Sequence, residues 1–199
     1  MKTVRLIWLP SDVMRRDCEQ AGRLLEEADL ERAARQLRGE DRLLSLSAAW
    51  LLRRFVGPGS AVVRTEKGKP LAAGCFFNLS HTDGLTGLAL ADTPVGLDIE
   101  KTAAAEEADL RAFCLSRKEQ ESGEGFLSLF TAKEALVKAE GSGLPDDIRS
   151  VSALPVTGSV RWHDKNYFRR RVLRPGYVIS LCAEGEIFFV SEEQIDEIT

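Results

Sequence analysis

The chain has 199 residues, 44% of them apolar and 29% charged, and its 27 basic and 31 acidic side chains leave a net charge of −4. Such a composition suits one globular core or two fused lobes and excludes collagen-like, fibrous and disordered chains. No segment is basic enough for a general nucleic-acid footprint, so nucleic acid is not expected as a partner.

Thr3 to Leu9 has the β-branched and aromatic character of a first strand. The charged, Leu- and Ala-rich stretch from Ser11 to Phe55 predicts helix, interrupted near Asp29 and Gly39 and closed at Gly57. Short apolar runs follow at 61–65, 75–79, 85–91 and 95–99, separated by Gly, Pro, Asp or Lys, and these predict strands joined by tight turns. A second helical block covers about residues 104–140, with Gly141, Gly143 and Pro145 behind it as helix stops. Strands return near Val151 and at 160–162, 167–173, 177–182 and 187–190, and the acidic 192–197 end is expected to fray or lie on the surface.

The order strand, helices, strands, helices, strands predicts an α+β chain of two similar α/β lobes in tandem, pseudo-two-fold, divided into 1–95 and 96–199. No residue-level repeat accompanies that doubled order. The N-terminal apolar run, Leu6 to Leu9, is too short for a signal-peptide core, and no run reaches membrane-spanning length. Cys18, Cys75, Cys114 and Cys182 form no C-x-x-C pair, so reduced thiols and a cytoplasmic location are expected.

Neither G-x-G-x-x-G, a P-loop, H-E-x-x-H nor G-x-S-x-G occurs. With His81 and His163 the only histidines, a multi-histidine metal site is excluded, and any ion would be hard and held by oxygen.

In Val95-Gly96-Leu97-Asp98-Ile99-Glu100 a strand ends with two carboxylates at i and i+2, which the pleat places on one face with Leu97 and Ile99 on the other. Side by side they repel and call for a cation such as Mg²⁺, although a solvated strand end would explain the pair equally well. In the helix from Phe126 to Glu140, Lys133 falls at about 340° with Phe126 at zero, in the middle of the apolar arc. A lysine on that line needs a partner within its reach, and Glu134 and Lys138 border the same arc. Two strand carboxylates, a helix carboxylate and two lysines together suit a metal-bound pyrophosphate. Upstream, the turn ending in Lys69 and Pro70 and the strand into Ser80-His81-Thr82 can offer donors to phosphate, though solubility and turn bonding are their ordinary uses.

Gly68-Lys69-Pro70, Phe77-Asn78-Leu79-Ser80-His81-Thr82, Val95 to Lys101 and Phe130 to Gly141, in that order and spacing, resemble the 4′-phosphopantetheinyl transferases of the larger two-lobed type. The resemblance implies transfer of the phosphopantetheine arm of coenzyme A to a serine of an apo acyl or peptidyl carrier protein, releasing adenosine 3′,5′-bisphosphate, with Mg²⁺ as the ion and a monomer as the working form. By motif, Asp98, Glu100 and Glu134 match metal ligands, and Glu134 and Lys138 match catalytic positions. Lys69, Ser80, His81 and Thr82 match coenzyme A contacts, and Ser45 and Arg32 fall where the family touches the nucleotide end. Glu119 matches a glutamate proposed to help deprotonate the serine, but Ser116-Arg117-Lys118-Glu119 also reads as a capping box. Phe130 and Leu44 depart from the family pattern, which there favours a tryptophan and a basic residue.

Two other functions stay open at this point: a metal-dependent hydrolase of nucleotide pyrophosphates, and a coenzyme A binding relative without catalysis. Arg169, Arg170, Arg171 and Arg174 offer a carrier-docking patch, against the plainer reading of charged residues on the outer face of a strand.

Overall fold

A computed structural model of the chain describes residues 2–57, 62–64, 70–103, 108–143, 145–186 and 189–199. In chain order the elements are β1 (Thr3–Pro10), α1 (Ser11–Arg16), α2 (Cys18–Gly22), α3 (Glu27–Ala34), α4 (Gly39–Leu51), a π-helical turn (Leu52–Val56), β2 (Val63–Arg64), β3 (Pro70–Leu71), β4 (Phe76–Thr82), β5 (Leu85–Ala91) and β6 (Val95–Lys101). The second half supplies α5 (Ala108–Cys114), α6 (Arg117–Gln120), α7 (Phe126–Glu140), a 3-10 turn (Ile148–Ser150), β7 (Gly158–Trp162), β8 (Lys165–Arg174), β9 (Tyr177–Glu184) and β10 (Phe189–Gln194). The 3-10 turn stands where a strand was expected near Val151, whose side chain is buried without any strand partner.

The class is mixed α+β, built on a sheet of order β10-β1-β5-β4 and a second of order β6-β9-β8-β7, with β2 and β3 as a small ribbon. Period-two alternation decides how they stack. Val4, Leu6 and Trp8 of β1 meet Val95, Leu97 and Ile99 of β6 in a core between the two sheets. The intervening Ile7 and Leu9 face the opposite way, against Val13, Met14, Trp50 and Leu51 of the N-terminal helices. On the far side of the second sheet, α7 buries Phe126, Leu129, Ala132, Leu136 and Val137 against Tyr167 and Cys182. The order through the molecule is therefore helices, sheet, sheet, helices.

The expected division at residue 95 falls where β6 begins, but the chain returns at its end: β10 pairs parallel with β1, Thr3 opposite Phe189 and Trp8 opposite Gln194. The first sheet is thus mixed, whereas the second is antiparallel throughout. The acidic end is correspondingly ordered rather than frayed. Glu192 to Gln194 lie in β10, Glu192 accepts from the Trp8 indole at 2.9 Å, and Ile195 and Ile198 are buried. Charge on that segment is confined to positions that reach water, while backbone pairing and the two isoleucines hold it down.

Two local features place the site. Gly96 sits under α7, where a Cβ would lie 2.0 Å from the Ala135 carbonyl oxygen and 2.4 Å from the Ala139 nitrogen, so only glycine lets helix and strand come this close. β6 is an edge strand, and its outward N–H groups are taken up by side chains of β4: Asn78 Oδ1 accepts from Leu97 N at 2.9 Å and Ser80 Oγ from Ile99 N at 3.2 Å. Those two side chains stitch the sheets together along one seam.

Candidate active site

The seam and α7 bring Asp98, Glu100 and Glu134 to one cleft of about 320 Å³, which Ser80, His81, Phe130 and Lys138 also line. Asp98 and Glu100 project from β6 on the face of Gly96, toward α7, because they follow it at i+2 and i+4. Glu134 and Lys138 lie one turn apart on the edge of α7, the polar flank of a helix whose other faces are buried.

Asp98 is buried, and its Oδ1 accepts from Lys138 Nζ at 2.6 Å and from Ser80 Oγ at 3.2 Å. Its Oδ2 is buried without a hydrogen-bond partner. Burial pushes the Glu100 carboxyl above its ordinary value, and the negative charges of Asp98 and Glu134 push it further against the pull of Lys138. The Glu134 carboxyl is likewise raised, chiefly by burial, with Lys138 opposing and Asp98 adding to the rise. Three carboxylates thus face the ammonium of Lys138 in a half-buried space, an arrangement short of positive charge.

Among the described residues no three carboxylate, thiol or imidazole groups close on one point as a finished ligand cluster. Lys138 Nζ already holds one of the candidate oxygens, Asp98 Oδ1, at 2.6 Å. The residues nonetheless fit a hard divalent cation. The donors are all oxygen, one carboxylate oxygen is buried and unsatisfied, and two carboxyls are raised partly by like charge that a cation would neutralise.

A larger cavity of about 580 Å³ adjoins this cleft, sharing Leu79, His81, Glu134 and Lys138 with it. Arg32, Gln36, Asp41 and Ser45 line its helical side, and Gly141 and Gly143 its rim beyond α7. Arg32 and Ser45, expected at the nucleotide end, thus line this cavity. His81 lies in both cavities, but burial of its ring and the charge of Lys138 push its imidazole below the ordinary value, so at neutral pH it offers a hydrogen bond rather than a cation. Ser80 is spent on Asp98 and Ile99, and so acts inside the wall. Thr82 ends β4 opposite Leu85 and lines neither cavity. Lys69 lies outside the described residues.

Glu119 also lines neither cavity. Its carboxylate closes the capping box of α6, accepting from the backbone and hydroxyl of Ser116 at 2.8 and 2.9 Å, and it takes the Ala153 N–H at 2.6 Å. It also pairs at 2.8 Å with Lys133, the lysine of the apolar arc, which is fully buried and bonded to the Ile148 carbonyl at 3.2 Å. Burial alone would raise the Glu119 carboxyl, but these four donors outweigh it and hold the group below its ordinary value.

The arginine patch loses one member. Arg169 is buried and donates to the carbonyls of Pro155 and Ser152, whereas Arg171 pairs with Glu124 and Arg174 with Gln194 on the surface. Sequence reasoning also missed Asn78, Gln36 and Asp41. For Asn78 a signal was present, since it stands in the motif that carries the resemblance and the period of two in β4 sets it on the same face as Ser80.

Carboxylates gathered around an ammonium, opening into a cavity of about 580 Å³, are an arrangement suited to a phosphate-bearing ligand. Residues 94–182 match the model of the 4′-phosphopantetheinyl transferase superfamily. The chain is 30% identical over 156 residues to the 4′-phosphopantetheinyl transferase Sfp of Bacillus subtilis (strain 168), covering 65% of this chain and 68% of that protein. It is 29% identical over 135 residues to the B. subtilis transferase ffp, covering 59% and 60% of the two chains. With the transferase gsp of Aneurinibacillus migulanus it shares 32% identity over 112 residues, 52% of this chain and 43% of the relative. The chain belongs to the 4′-phosphopantetheinyl transferase superfamily.

Proposed function

We propose that the chain transfers the 4′-phosphopantetheine arm of coenzyme A to a serine hydroxyl of an apo acyl or peptidyl carrier protein, releasing adenosine 3′,5′-bisphosphate. The observation that carries this reading is the buried, unpartnered Oδ2 of Asp98 beside Lys138, in a cleft continuous with the larger cavity.

On this reading the nucleotide half of coenzyme A enters the larger cavity, with Arg32, Ser45 and His81 as its contacts and Lys69 as a further one. The pyrophosphate then lies beside Lys138. Asp98, Glu100 and Glu134 would hold Mg²⁺, which when bound neutralises phosphate oxygens and steadies the leaving group. Lys138 donates to the phosphate from the side it shares with Asp98, stabilising charge that develops on the oxygens. Glu134 stands where the two cavities meet, and its carboxylate is placed to accept the proton of the serine hydroxyl. The serine oxygen forms the new bond to phosphorus while the bond to the nucleotide phosphate breaks, so most of the rate comes from positioning and charge. Glu119 acts at one remove, fixing Lys133 and with it the rotation of α7.

Four free cysteines accord with a reducing, cytoplasmic setting, and we take a single chain as the working unit. Among the described residues no helix is long and apolar enough to cross a membrane.

The test is incubation with coenzyme A, Mg²⁺ and a panel of apo carriers, read by intact mass. A phosphopantetheine mass gain on a carrier supports transfer. Free phosphopantetheine made without any carrier would instead establish the hydrolase, and ligand binding without mass gain a silent relative.

A further inference from the structure

Behind α7 lies a group that the proposed chemistry does not use. Glu140, the last residue of the helix, is mostly buried, and its carboxylate gathers three donors from two turns. Its Oε1 is 2.5 Å from His163 Nδ1, and its Oε2 accepts from Ser142 Oγ at 2.7 Å and from the Trp162 indole at 3.2 Å. Burial alone would raise this carboxyl, but the hydrogen bonds from Ser142, His163 and Trp162 hold it below its ordinary value.

Both turns use the left-handed region of the backbone. His163 adopts φ 49°, a left-handed conformation that non-glycine residues visit rarely, and this aims its ring at Glu140. Gly141 and Gly143 have φ of 87° and 80°, which reverses the chain tightly after α7 and sets both residues on the rim of the larger cavity. Ser142, between them, is the residue that Glu140 grips. The anchor end is firm, since Trp162 packs on the core under α7.

We propose that Glu140 is a positioning residue for the nucleotide half of coenzyme A: through Ser142 it locks the Gly141–Gly143 rim of the cavity against the Trp162–His163 turn. The proposal rests on the reading of the larger cavity given above. Ordering that rim before the ligand arrives removes a cost of binding, so its effect falls on affinity rather than on the chemical step.

The experiment measures KM for coenzyme A and kcat in carrier loading, coenzyme A binding by calorimetry, and melting temperature, for the wild type, E140A and S142A. E140A is expected to raise KM for coenzyme A on the order of tenfold with kcat within about twofold, as loss of a charge-assisted bond implies. S142A removes the hydroxyl that bonds Glu140 at 2.7 Å and lies 3.2 Å from the Gly143 carbonyl, so it should raise KM and weaken binding with a smaller change in melting temperature than E140A. Should E140A fold poorly, S142A alone carries the test. A lower melting temperature for E140A together with unchanged KM and binding in S142A overturns the clamp and leaves Glu140 a structural residue. A wild type that neither binds coenzyme A nor loads a carrier overturns the functional reading itself, and the clamp with it.

Discussion

Lys138 donates to the same Asp98 oxygen that Ser80 donates to, at 2.6 Å, while the other oxygen of Asp98 is buried with nothing bonded to it. One carboxylate is thereby divided between an oxygen that Ser80 and Lys138 share and an oxygen left buried and unsatisfied. Asp98→Asn separates the two roles, because an amide keeps an acceptor for Ser80 and Lys138 but loses the charge that a cation requires. We expect carrier loading to fall by on the order of 10³-fold, with the melting temperature little changed. Mg²⁺ at a hundredfold excess over Kd should stabilise the wild type by about 2.7 kcal/mol, seen as a raised melting temperature, and leave the variant where it is. Loading by Asp98→Asn at the wild-type rate would remove the residue from the chemistry.

The approach of α7 to β6 predicts a second result. A methyl group at Gly96 would meet backbone atoms of Ala135 and Ala139 at 2.0 and 2.4 Å, and neither can yield as a flexible side chain could. Gly96→Ala therefore has to push the helix off the strand, carrying Glu134 and Lys138 away from Asp98 and Glu100. Overpacking of this kind costs about 1–3 kcal/mol and more where only backbone can move. Urea unfolding should show the loss of stability, and the variant that remains folded should load carriers poorly. Ready loading at wild-type stability would mean that the contact relaxes freely.

How much of this was legible in the sequence differs from residue to residue. The pleat alone placed Asp98 and Glu100 on one face, and the helical period alone flagged Lys133 as a lysine needing a partner, because both are local geometries that any chain obeys. The identity of that partner was not legible. Glu119 on α6 meets Lys133 on α7 only in the folded chain, and its capping box was visible without the ion pair that completes it. The same limit applies to β10: its apolar and acidic residues suit a strand or a surface tail equally, and only pairing with β1 at the far end of the chain decides between them. Arg169 shows the converse, since alternation puts it on one face with Tyr167 and Arg171, yet the face is covered at the first two and open at the third.

The seam between the sheets carries its own prediction. Asn78 supplies the acceptor for the Leu97 N–H, a buried backbone donor with no strand beside it. Asn78→Ala leaves that donor unsatisfied, and the cost is about 1–3 kcal/mol. Hydrogen exchange of the Leu97 amide should quicken in the variant more than exchange in β9, its partner on the other side. Equal acceleration across the whole sheet would point to global destabilisation instead of a lost local bond.

Glu119 gives the clearest dependence on pH. Its carboxyl titrates below the ordinary value in the folded chain, so the stability it contributes is present above the ordinary carboxylate range and is lost as pH falls through the lowered folded value. Glu119→Gln removes the charge while keeping the shape, leaving Lys133 fully buried and unpaired, a loss of about 3–5 kcal/mol near neutral pH. Melting temperatures of the wild type and the variant should therefore converge as the solution is acidified and separate again toward pH 7. Activity measured well below both melting temperatures distinguishes the two uses of the residue. Transfer that survives in the folded variant assigns Glu119 to holding Lys133 and capping α6. Transfer lost from a variant that remains folded and still binds coenzyme A would return the residue to proton transfer from the serine.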